Sequence, residues 1–441
     1  MADLIALSTK VVDAGRADEP VNRTTGELSE IADGLAMVES FSHVVTWNSG
    51  DGIVCFDTSH VNTGEQVVNS IRQWSSDPFS ALVYTHGHAD HVGGSVAFGA
   101  NAAALGHQAP RVIGHKNVQR RFDRYRYTND WNVAINARQF GGIRGDLNSI
   151  MNDLRPASGG PRLSNFIPEN TLDTTDVVDK FASMKFGDTT VEFHHGKGET
   201  DDHLWSWFPE KKWVATGDFV IWNFPNAGNP QKVQRFPIEW AAALRAIIAK
   251  EPELLLPAHG LPIAGKERIA RVLDEIASAL EYLVKSTVDM MNAGETLNTI
   301  IHSVKVPEAT LGKPYLRPLY DEPEFVVRGI WRQFGGWWDG TPSSLKPATD
   351  VSLGTELATL AGGAEVLMAR AKELAASGDL RLACHLADFA GWAAPDEPNI
   401  HRDRAEVYEA RRKSESSLMA KGIFRGAARE SEAVIKAALG E

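Results

Sequence analysis

The sequence predicts an α/β domain followed by an all-helical domain. Strand-like apolar runs alternate with amphipathic helical patterns up to about residue 265, which is typical of a mixed sheet-and-helix domain. After about residue 350 no strand-length run of β-branched residues appears, and Ala, Leu, Glu and Arg dominate. The 441 residues also exceed what one hydrophobic core usually holds. We therefore assign residues 1–300 to the α/β domain and residues 301–441 to the helical domain.

Composition and charge exclude several classes of protein. A net charge of −12 without a basic tract argues against a nucleic-acid partner. No apolar stretch reaches the ~20 residues that a membrane span needs, and the first thirty residues lack the pattern of a signal peptide. Only two cysteines, Cys55 and Cys384, occur, so a disulfide framework is not expected. We expect a cytoplasmic protein.

The first elements read as a hairpin, a helix and a further strand. Apolar runs at 43–47 and 52–57 flank the turn-rich tetrapeptide 48–51, which predicts a hairpin. A helix is expected from about Asn62, with an apolar face at i, i+4 and i+7, and a strand follows at 81–84. The predicted order is therefore strand, helix, strand.

Between about residues 117 and 178 the composition of the chain changes, and the remaining strands of the α/β domain are predicted after this stretch. That stretch is rich in arginine and aromatic residues and then in Gly, Pro and Asn, which suggests an insertion covering a site. Strands are predicted at 190–194, 204–208, 213–216 and 254–256. Pro237 is expected to begin a helix, and the chain is predicted to be helical from about Lys266.

The most informative segment is 85–94, because it holds four metal-binding side chains within six residues, directly after an apolar run. His86 and His88 alternate at a strand end, so they point the same way and can bind one ion together. Asp90 and His91, where the chain begins to turn, are then available to a second ion. This spacing predicts a dinuclear metal site.

A dinuclear site needs further ligands, and three candidates follow strands or lie in turns. Glu199 lies in a Gly-rich turn between two predicted strands, Asp218 directly follows another strand, and His259 follows the strand 254–256. Strand ends are where α/β proteins commonly place chemistry.

Taken in order, these motifs resemble the metallo-β-lactamase superfamily over about residues 30–265. The resemblance implies a four-layer αββα sandwich with metals at one edge. Glu199, where most members have His, is similar to the alkylsulfatase branch. The segments 321–331 and 335–342 resemble the chain that leads into the helical dimerisation domain of that branch, and they imply a homodimer formed through the C-terminal helical domain.

The resemblance also implies a role for each candidate residue. His86, His88 and Glu199 would bind one divalent ion, Asp90, His91 and His259 the other, and Asp218 would bridge the two. Zinc is the expected metal, with iron or manganese as alternatives. Asn229 and Arg235 lie where the branch binds sulfate, and the planar fork of Arg235 suits an oxyanion. Arg235 could equally be a surface residue ahead of a helix.

Other residues near the predicted site have less specific expectations. Asp57 is expected to orient a ligand histidine, or else to cap a helix. His203 is the nearest substitute if Glu199 is not a ligand. A group of aromatic residues could line an apolar substrate slot, although core packing is the commoner role: Trp205, Trp207, Trp222, Phe224 and Phe236.

The expected function is a dinuclear metal-dependent hydrolase that acts through a metal-bridging hydroxide. The substrate implied by the resemblance is an alkyl sulfate ester, a small molecule with an apolar part. The alternatives are a carboxylic ester, lactone, amide or phosphoester hydrolase of the same fold. An iron-dependent redox protein and a non-catalytic metal-binding protein are rivals from other classes.

Overall fold

The computed structural model describes residues 2–140 and 165–440, and these fall into two compact units. One unit contains the described residues up to Asn129 and those from 165 to Gly336. The other contains Asp130–Phe140 and the chain from Trp337 onwards. The boundary that we predicted at residues 300 and 301 stays a prediction.

A seven-stranded sheet forms one half of the first unit, and its strands lie in chain order. They are β1 Leu28–Ala32, β2 Leu35–Val38, β3 Val44–Asn48, β4 Ile53–Phe56, β5 Phe79–Val83, β6 Arg111–His115 and β7 Asp176–Val178. The first four pair antiparallel, which includes the predicted hairpin between β3 and β4. From β4 to β7 the pairing is parallel, as the predicted strand-helix-strand order requires.

A six-stranded sheet forms the other half, in the order β13-β12-β11-β10-β9-β8. Its strands are β8 Phe181–Phe186, β9 Thr189–His195, β10 Leu204–Phe208, β11 Trp213–Gly217, β12 Leu254–Pro257 and β13 Ile263–Ala264. Only β11 and β12 are parallel. Their carboxyl ends therefore lie at the same edge of the sheet.

Helices complete the first unit. They are α1 Leu4–Ala14, α2 Gly64–Trp74, α3 Ala89–Val92, α4 Ser95–Ala104, α5 Val118–Tyr127, α7 Pro237–Ala249, α8 Lys266–Asn292, α9 Leu297–Ser303, α10 Glu308–Leu311 and α11 Pro323–Gly335. The helix α6, Asn129–Gln139, lies between α5 and α7 in the chain and belongs almost entirely to the other unit. The predicted helix-opening proline, Pro237, is the first residue of α7.

Side-chain alternation along the strands produces the layers. Val54 and Phe56 of β4 join the core between the two sheets, whereas Ile53 and Cys55 join a second core beneath α2. Trp47 of β3 meets Phe208 of β10 across the sheets with ring centroids 5.2 Å apart. Helices α7 and α8 pack on the outer face of the second sheet through residues of the first core. The predicted four-layer sandwich is confirmed.

The second unit is helical throughout its described part. Besides α6 it contains α12 Pro342–Leu345, α13 Asp350–Ala361, α14 Ala364–Ala376, α15 Leu380–Ala393, α16 Pro398–Ser414 and α17 Leu418–Leu439. It has a core of its own, formed by Met368, Ala371, Ala387 and their neighbours. The predicted helical region after the α/β domain is confirmed, and among the described residues no helix is long and apolar enough to cross a membrane.

Candidate metal centre

The candidate site lies where parallel strands end. His86 and His88 follow β5, and α3 carries Asp90 and His91. Two backbone hydrogen bonds join the sheets at this edge, one from the Leu204 N–H to the Thr85 carbonyl and one from the His43 N–H to the Ala258 carbonyl, both 2.6 Å. The residue types that bind metals thus converge from both sheets.

Three side chains form a first cluster: His86, His88 and Asp218. His86 Nε2 lies 2.8 Å from His88 Nδ1 and 3.9 Å from Asp218 Oδ2. Burial lowers the pKa of both histidines well below the usual range. Both rings are therefore neutral near pH 7, which leaves a nitrogen lone pair for a cation.

A second cluster contains Asp90, His91 and His259. Asp90 Oδ2 lies 3.4 Å from His91 Nε2 and 3.5 Å from His259 Nε2. Asp218 also reaches this cluster, with Oδ2 3.4 Å from His91 Nε2 and Oδ1 3.6 Å from His259 Nε2. Asp218 is thus close to histidines of both clusters.

The second cluster has the chemistry of a cation site. His91 Nε2 and Asp218 Oδ1 are buried and have no hydrogen-bond partner among the described residues. Although burial opposes it, the carboxylates of Asp218, Asp90 and Asp57 raise the pKa of His91 well above its usual value. A divalent ion satisfies the two atoms and the excess of negative charge at once.

Glu199 adjoins the first cluster but has other partners as well. Its Oε1 lies 3.6 Å from His88 Nδ1, 2.9 Å from Arg235 Nη1 and 2.5 Å from Asn226 Nδ2, which donates to it. Burial raises the pKa of Glu199 to about 8 despite the positive charge of Arg235. Glu199 thus lies beside the first cluster, and a cation bound there would favour its ionised form.

Asp57 supports the second cluster from behind. Its Oδ2 lies 2.8 Å from His91 Nδ1, and the N–H and the hydroxyl of Thr85 each donate to the carboxylate at 2.8 Å. The His91 Nδ1–H thus points at Asp57, which leaves Nε2 for the site. The expectation that Asp57 orients a histidine is confirmed.

His203, which was considered as a substitute metal ligand, contacts the backbone of Asp218. Its Nε2 accepts a hydrogen bond from the Asp218 N–H at 3.2 Å, and its ring stacks on Phe219 with centroids 4.1 Å apart. A Cβ on Gly217 would lie 2.6 Å from that Nε2, so glycine is needed there. The geometry makes His203 a support for the Asp218 backbone.

Arg235 and Asn229 lie on the segment that follows Asp218, and both are buried. Arg235 is 4% exposed, so the alternative of a surface residue is wrong. Its Nη1 pairs with Glu199, and its Nε–H has no hydrogen-bond partner among the described residues. Asn229 Oδ1 accepts from the Gln231 N–H at 3.1 Å.

The sequence reasoning missed three polar features around the site. Asn226 bonds Glu199, as described above. Lys232 lies with its ammonium 5.7 Å from the Phe166 ring centroid, and burial together with Arg235 lowers its pKa to about 7. Asp202 accepts from the Gly87 N–H at 3.1 Å and from Arg121 Nε at 2.8 Å. The clustering of Asn226, Asn229 and Lys232 in one loop was the available signal.

The aromatic group considered for a substrate slot is mostly core. Trp205, Trp207, Trp222 and Phe224 are buried in the large core to which both sheets and the helices α7 and α8 contribute, which was the commoner role. Phe236 is partly buried, beneath the ammonium of Lys197.

Two family descriptions match the chain. The model for the metallo-beta-lactamase superfamily matches residues 39–259, which is half of the chain. The chain belongs to the metallo-β-lactamase superfamily. A second model, for alkyl sulfatase dimerisation, matches residues 296–433.

The curated relatives of the chain include alkylsulfatases. The chain is 26% identical over 358 residues to a linear primary-alkylsulfatase of a Pseudomonas species, a match that covers 77% of this chain and 64% of the relative. It is 22% identical to an (R)-specific secondary-alkylsulfatase of a Pseudomonas species, covering 75% and 51%. The chain thus spans about half to two-thirds of the length of these curated relatives.

A solved structure of similar fold is that of the stereoselective inverting sec-alkylsulfatase Pisa1 from a Pseudomonas species. The TM-score is 0.79 at 20% identity, and the alignment covers 92% of this chain and 65% of that one. The likeness establishes the fold of the chain. The chain is therefore a member of the metallo-β-lactamase superfamily that is similar to alkylsulfatases.

Proposed function

We propose that the protein is a dinuclear metal-dependent hydrolase of alkyl sulfate esters. The observation that carries the proposal is the pair of three-residue clusters, His86, His88 and Asp218 beside Asp90, His91 and His259, with Asp218 within 4 Å of histidines in both. The alkylsulfatase relatives support the choice of substrate.

In this proposal Glu199 completes the first cluster and Asp218 is shared. Two ions held there would supply Lewis acidity and would lower the pKa of bound water towards neutrality. The chain's own contribution is to hold the donor atoms in place. Asp57 fixes the His91 ring, and His203 fixes the backbone of Asp218.

Zinc is the metal that we propose, because histidine nitrogens dominate both clusters. The carboxylates of Glu199, Asp90 and Asp218 make the site harder than an all-histidine one, so iron and manganese are the alternatives.

An anionic substrate fits the cations beside the clusters. Arg235 and Lys232 both lie in the electrostatic reach of Glu199. Three carboxylates and one hydroxide would balance the charge of two divalent ions, so Arg235 and the protonated form of Lys232 would supply the net positive charge that attracts a sulfate group. We propose that Arg235, with Asn229 close by in the chain, binds the sulfate oxygens, and that an apolar alkyl part completes the ester.

A hydrolysis screen on metal-quantified protein tests the proposal. Alkyl sulfates, phosphate monoesters, lactones, carboxylic esters and amides are offered to wild-type protein and to Asp218→Ala. We expect turnover of an alkyl sulfate by the wild type alone. Turnover of a lactone, carboxylic ester or amide with none of any sulfate would move the protein to another hydrolase class.

Hydrolysis of no ester by protein that holds both ions would instead favour a non-catalytic metal-binding protein. The redox alternative has its own test, because an iron-dependent oxidoreductase would consume an electron donor or acceptor during turnover, whereas a hydrolase would consume none, whichever metal it holds.

We also propose a homodimer formed through the helical region, because residues 296–433 match the alkyl sulfatase dimerisation family. Light scattering at micromolar concentration should give twice the mass of one chain, and a monomeric mass would contradict the assignment. The cytoplasm stays our predicted compartment.

A further inference from the structure

The loop from Asn226 to Arg235 controls the environment of Glu199. Asn226 Nδ2 donates to Glu199 Oε1 at 2.5 Å. Arg235 Nη1 lies 2.9 Å from that same oxygen and donates to the Glu199 carbonyl at 2.5 Å. Glu199 therefore meets both ends of the loop, and its orientation depends on where the loop lies.

A later segment of the chain, from Arg317 to α11, holds this loop in place. The Phe224 N–H, just before the loop, donates to the Arg317 carbonyl at 2.9 Å. At the far end, Gln234 Nε2 donates to the Gly329 carbonyl at 3.0 Å. The loop is thus anchored to this segment on both sides of Asn226.

Asp321 makes the central contact. Its Oδ2 accepts from the Gly228 N–H at 2.6 Å, and its Oδ1 accepts from the Glu322 N–H at 2.7 Å. The loop backbone lies directly on the first turn of α11, because a Cβ on Gly228 would lie 2.1 Å from the Phe325 carbonyl carbon and the Val326 nitrogen. Only glycine permits this approach.

The burial of Asp321 costs desolvation free energy. The residue is fully buried, and none of the described Lys, Arg or His residues forms an ion pair with it. Burial raises its pKa to about 7. A buried carboxylate that accepts two backbone N–H groups fixes both of them tightly, at a cost in desolvation.

We propose that Asp321 is a positioning residue of the candidate metal centre, which holds Gly228 so that Asn226 keeps the Glu199 carboxylate beside His88. The inference rests on the proposed role of Glu199 as a ligand. Asp321 lies within residues 296–433, which match the alkyl sulfatase dimerisation family. If the inference holds, part of that family match helps to build the metal centre.

The test measures zinc affinity by competition with a chromophoric chelator, so it needs no substrate. Asp321→Asn places an amide where two N–H donors need an acceptor, and we expect one of the two ions to bind about 10-fold more weakly or worse while the other keeps its affinity. Asp379→Asn is the control, because Asp379 also accepts a backbone N–H, that of Leu382, but in the helical unit.

A double-mutant cycle separates positioning from general stability. If Asp321 acts through Asn226, Asp321→Asn should weaken zinc binding little further in an Asn226→Ala background. Fully additive losses, or a lower melting temperature with unchanged zinc affinity, would overturn the inference. Should Asp321→Asn fail to fold, Gln234→Met removes the contact with Gly329 at the other end of the loop and should weaken the same ion; unchanged affinity would again overturn it.

Glu199→Gln distinguishes this inference from the proposed function. If Glu199→Gln retains both ions at wild-type affinity, the ligand assignment is wrong and the inference falls with it. If Glu199→Gln loses an ion but Asp321→Asn does not, only the role of Asp321 is wrong.

Discussion

The two clusters of the candidate metal centre are built differently. The second cluster, Asp90, His91 and His259, has a buried carboxylate behind it, because Asp57 accepts from His91 and from Thr85. The first cluster depends for its additional ligand on Glu199, which is shared with Asn226 and Arg235 from a separate loop. The second cluster is thus supported by residues that follow neighbouring strands. The first is supported by the loop from Asn226 to Arg235, which Asp321 contacts from a distant part of the chain.

This difference suggests a division of labour. Asp57 directly follows β4, and His91 lies on α3, shortly after the neighbouring strand β5, so the second ion should bind to a preorganised site. The first site includes Glu199, whose orientation depends on the loop from Asn226 to Arg235. The site also lies beside the cations of Arg235 and Lys232, which suits a position that meets the anionic substrate. Asp218 belongs to both, and its removal should erase the difference.

The largest effect is expected for Asp218→Ala. Loss of the shared carboxylate removes a donor from both clusters and negative charge from between two cations, so at least one ion should be lost. Turnover should fall by well over the ~10–100-fold that a change behind a ligand costs. Metal analysis and alkyl sulfate hydrolysis measure the two outcomes, with the exposed Asp123→Ala as control. Two retained ions would show that Asp218 is not shared.

The next largest effect is expected for Glu199→Gln, compared with His203→Ala. Glu199→Gln keeps the size of the side chain but removes its charge, so affinity for one ion and turnover should both fall sharply. His203→Ala should retain both ions, because His203 contacts the backbone of Asp218. If His203→Ala lost an ion while Glu199→Gln kept both, His203 would be the ligand and the likeness to the alkylsulfatase branch would lose its strongest residue.

A smaller effect is expected behind the second cluster. Asp57→Asn leaves every proposed ligand present but replaces the acceptor that holds the His91 Nδ1–H, so one ion should bind about 10–100-fold more weakly. Chelator competition measures this change. In the combination Asp57→Asn with Glu199→Gln, two separate ions should each be weakened. Loss confined to a single ion would mean that the two clusters are not distinct sites.

Sequence reasoning succeeded where the signal is local. The hairpin between β3 and β4, the helix α2, the strand β5 and the histidine-rich strand end all follow from short-range patterns. The helix α1 and the strands β1 and β2 were not predicted. In β2 all four residues are buried, so the alternation that marks a strand is absent.

The candidate site was predictable in its donors but not in its supports. His86 to His91 share one motif, and Glu199, Asp218 and His259 were found through turns, strand ends and the family resemblance. The contacts of Asn226 and Asp321 were not predicted, because they join residues that are 27 and 93 positions apart in the chain. Contacts at that separation are set by tertiary packing.

The smallest effect concerns the cations beside the first cluster. Lys232→Met keeps the length of the side chain and removes its charge, so KM for an alkyl sulfate should rise severalfold with little change in kcat. Turnover of a neutral carboxylic ester, if any occurs, should be unaffected. Lys285→Met, an exposed lysine on α8, is the control. An equal loss for charged and neutral esters would show that Lys232 does not select for anions.

The central claim is that one chain holds two ions at adjoining, unequal sites. It is tested most directly by titrating chelator-treated protein with zinc and measuring the ions retained per chain by mass spectrometry. The account predicts saturation at two ions per chain, with two resolvable affinities. Saturation at one ion, in protein that recovers its native melting temperature, would contradict it.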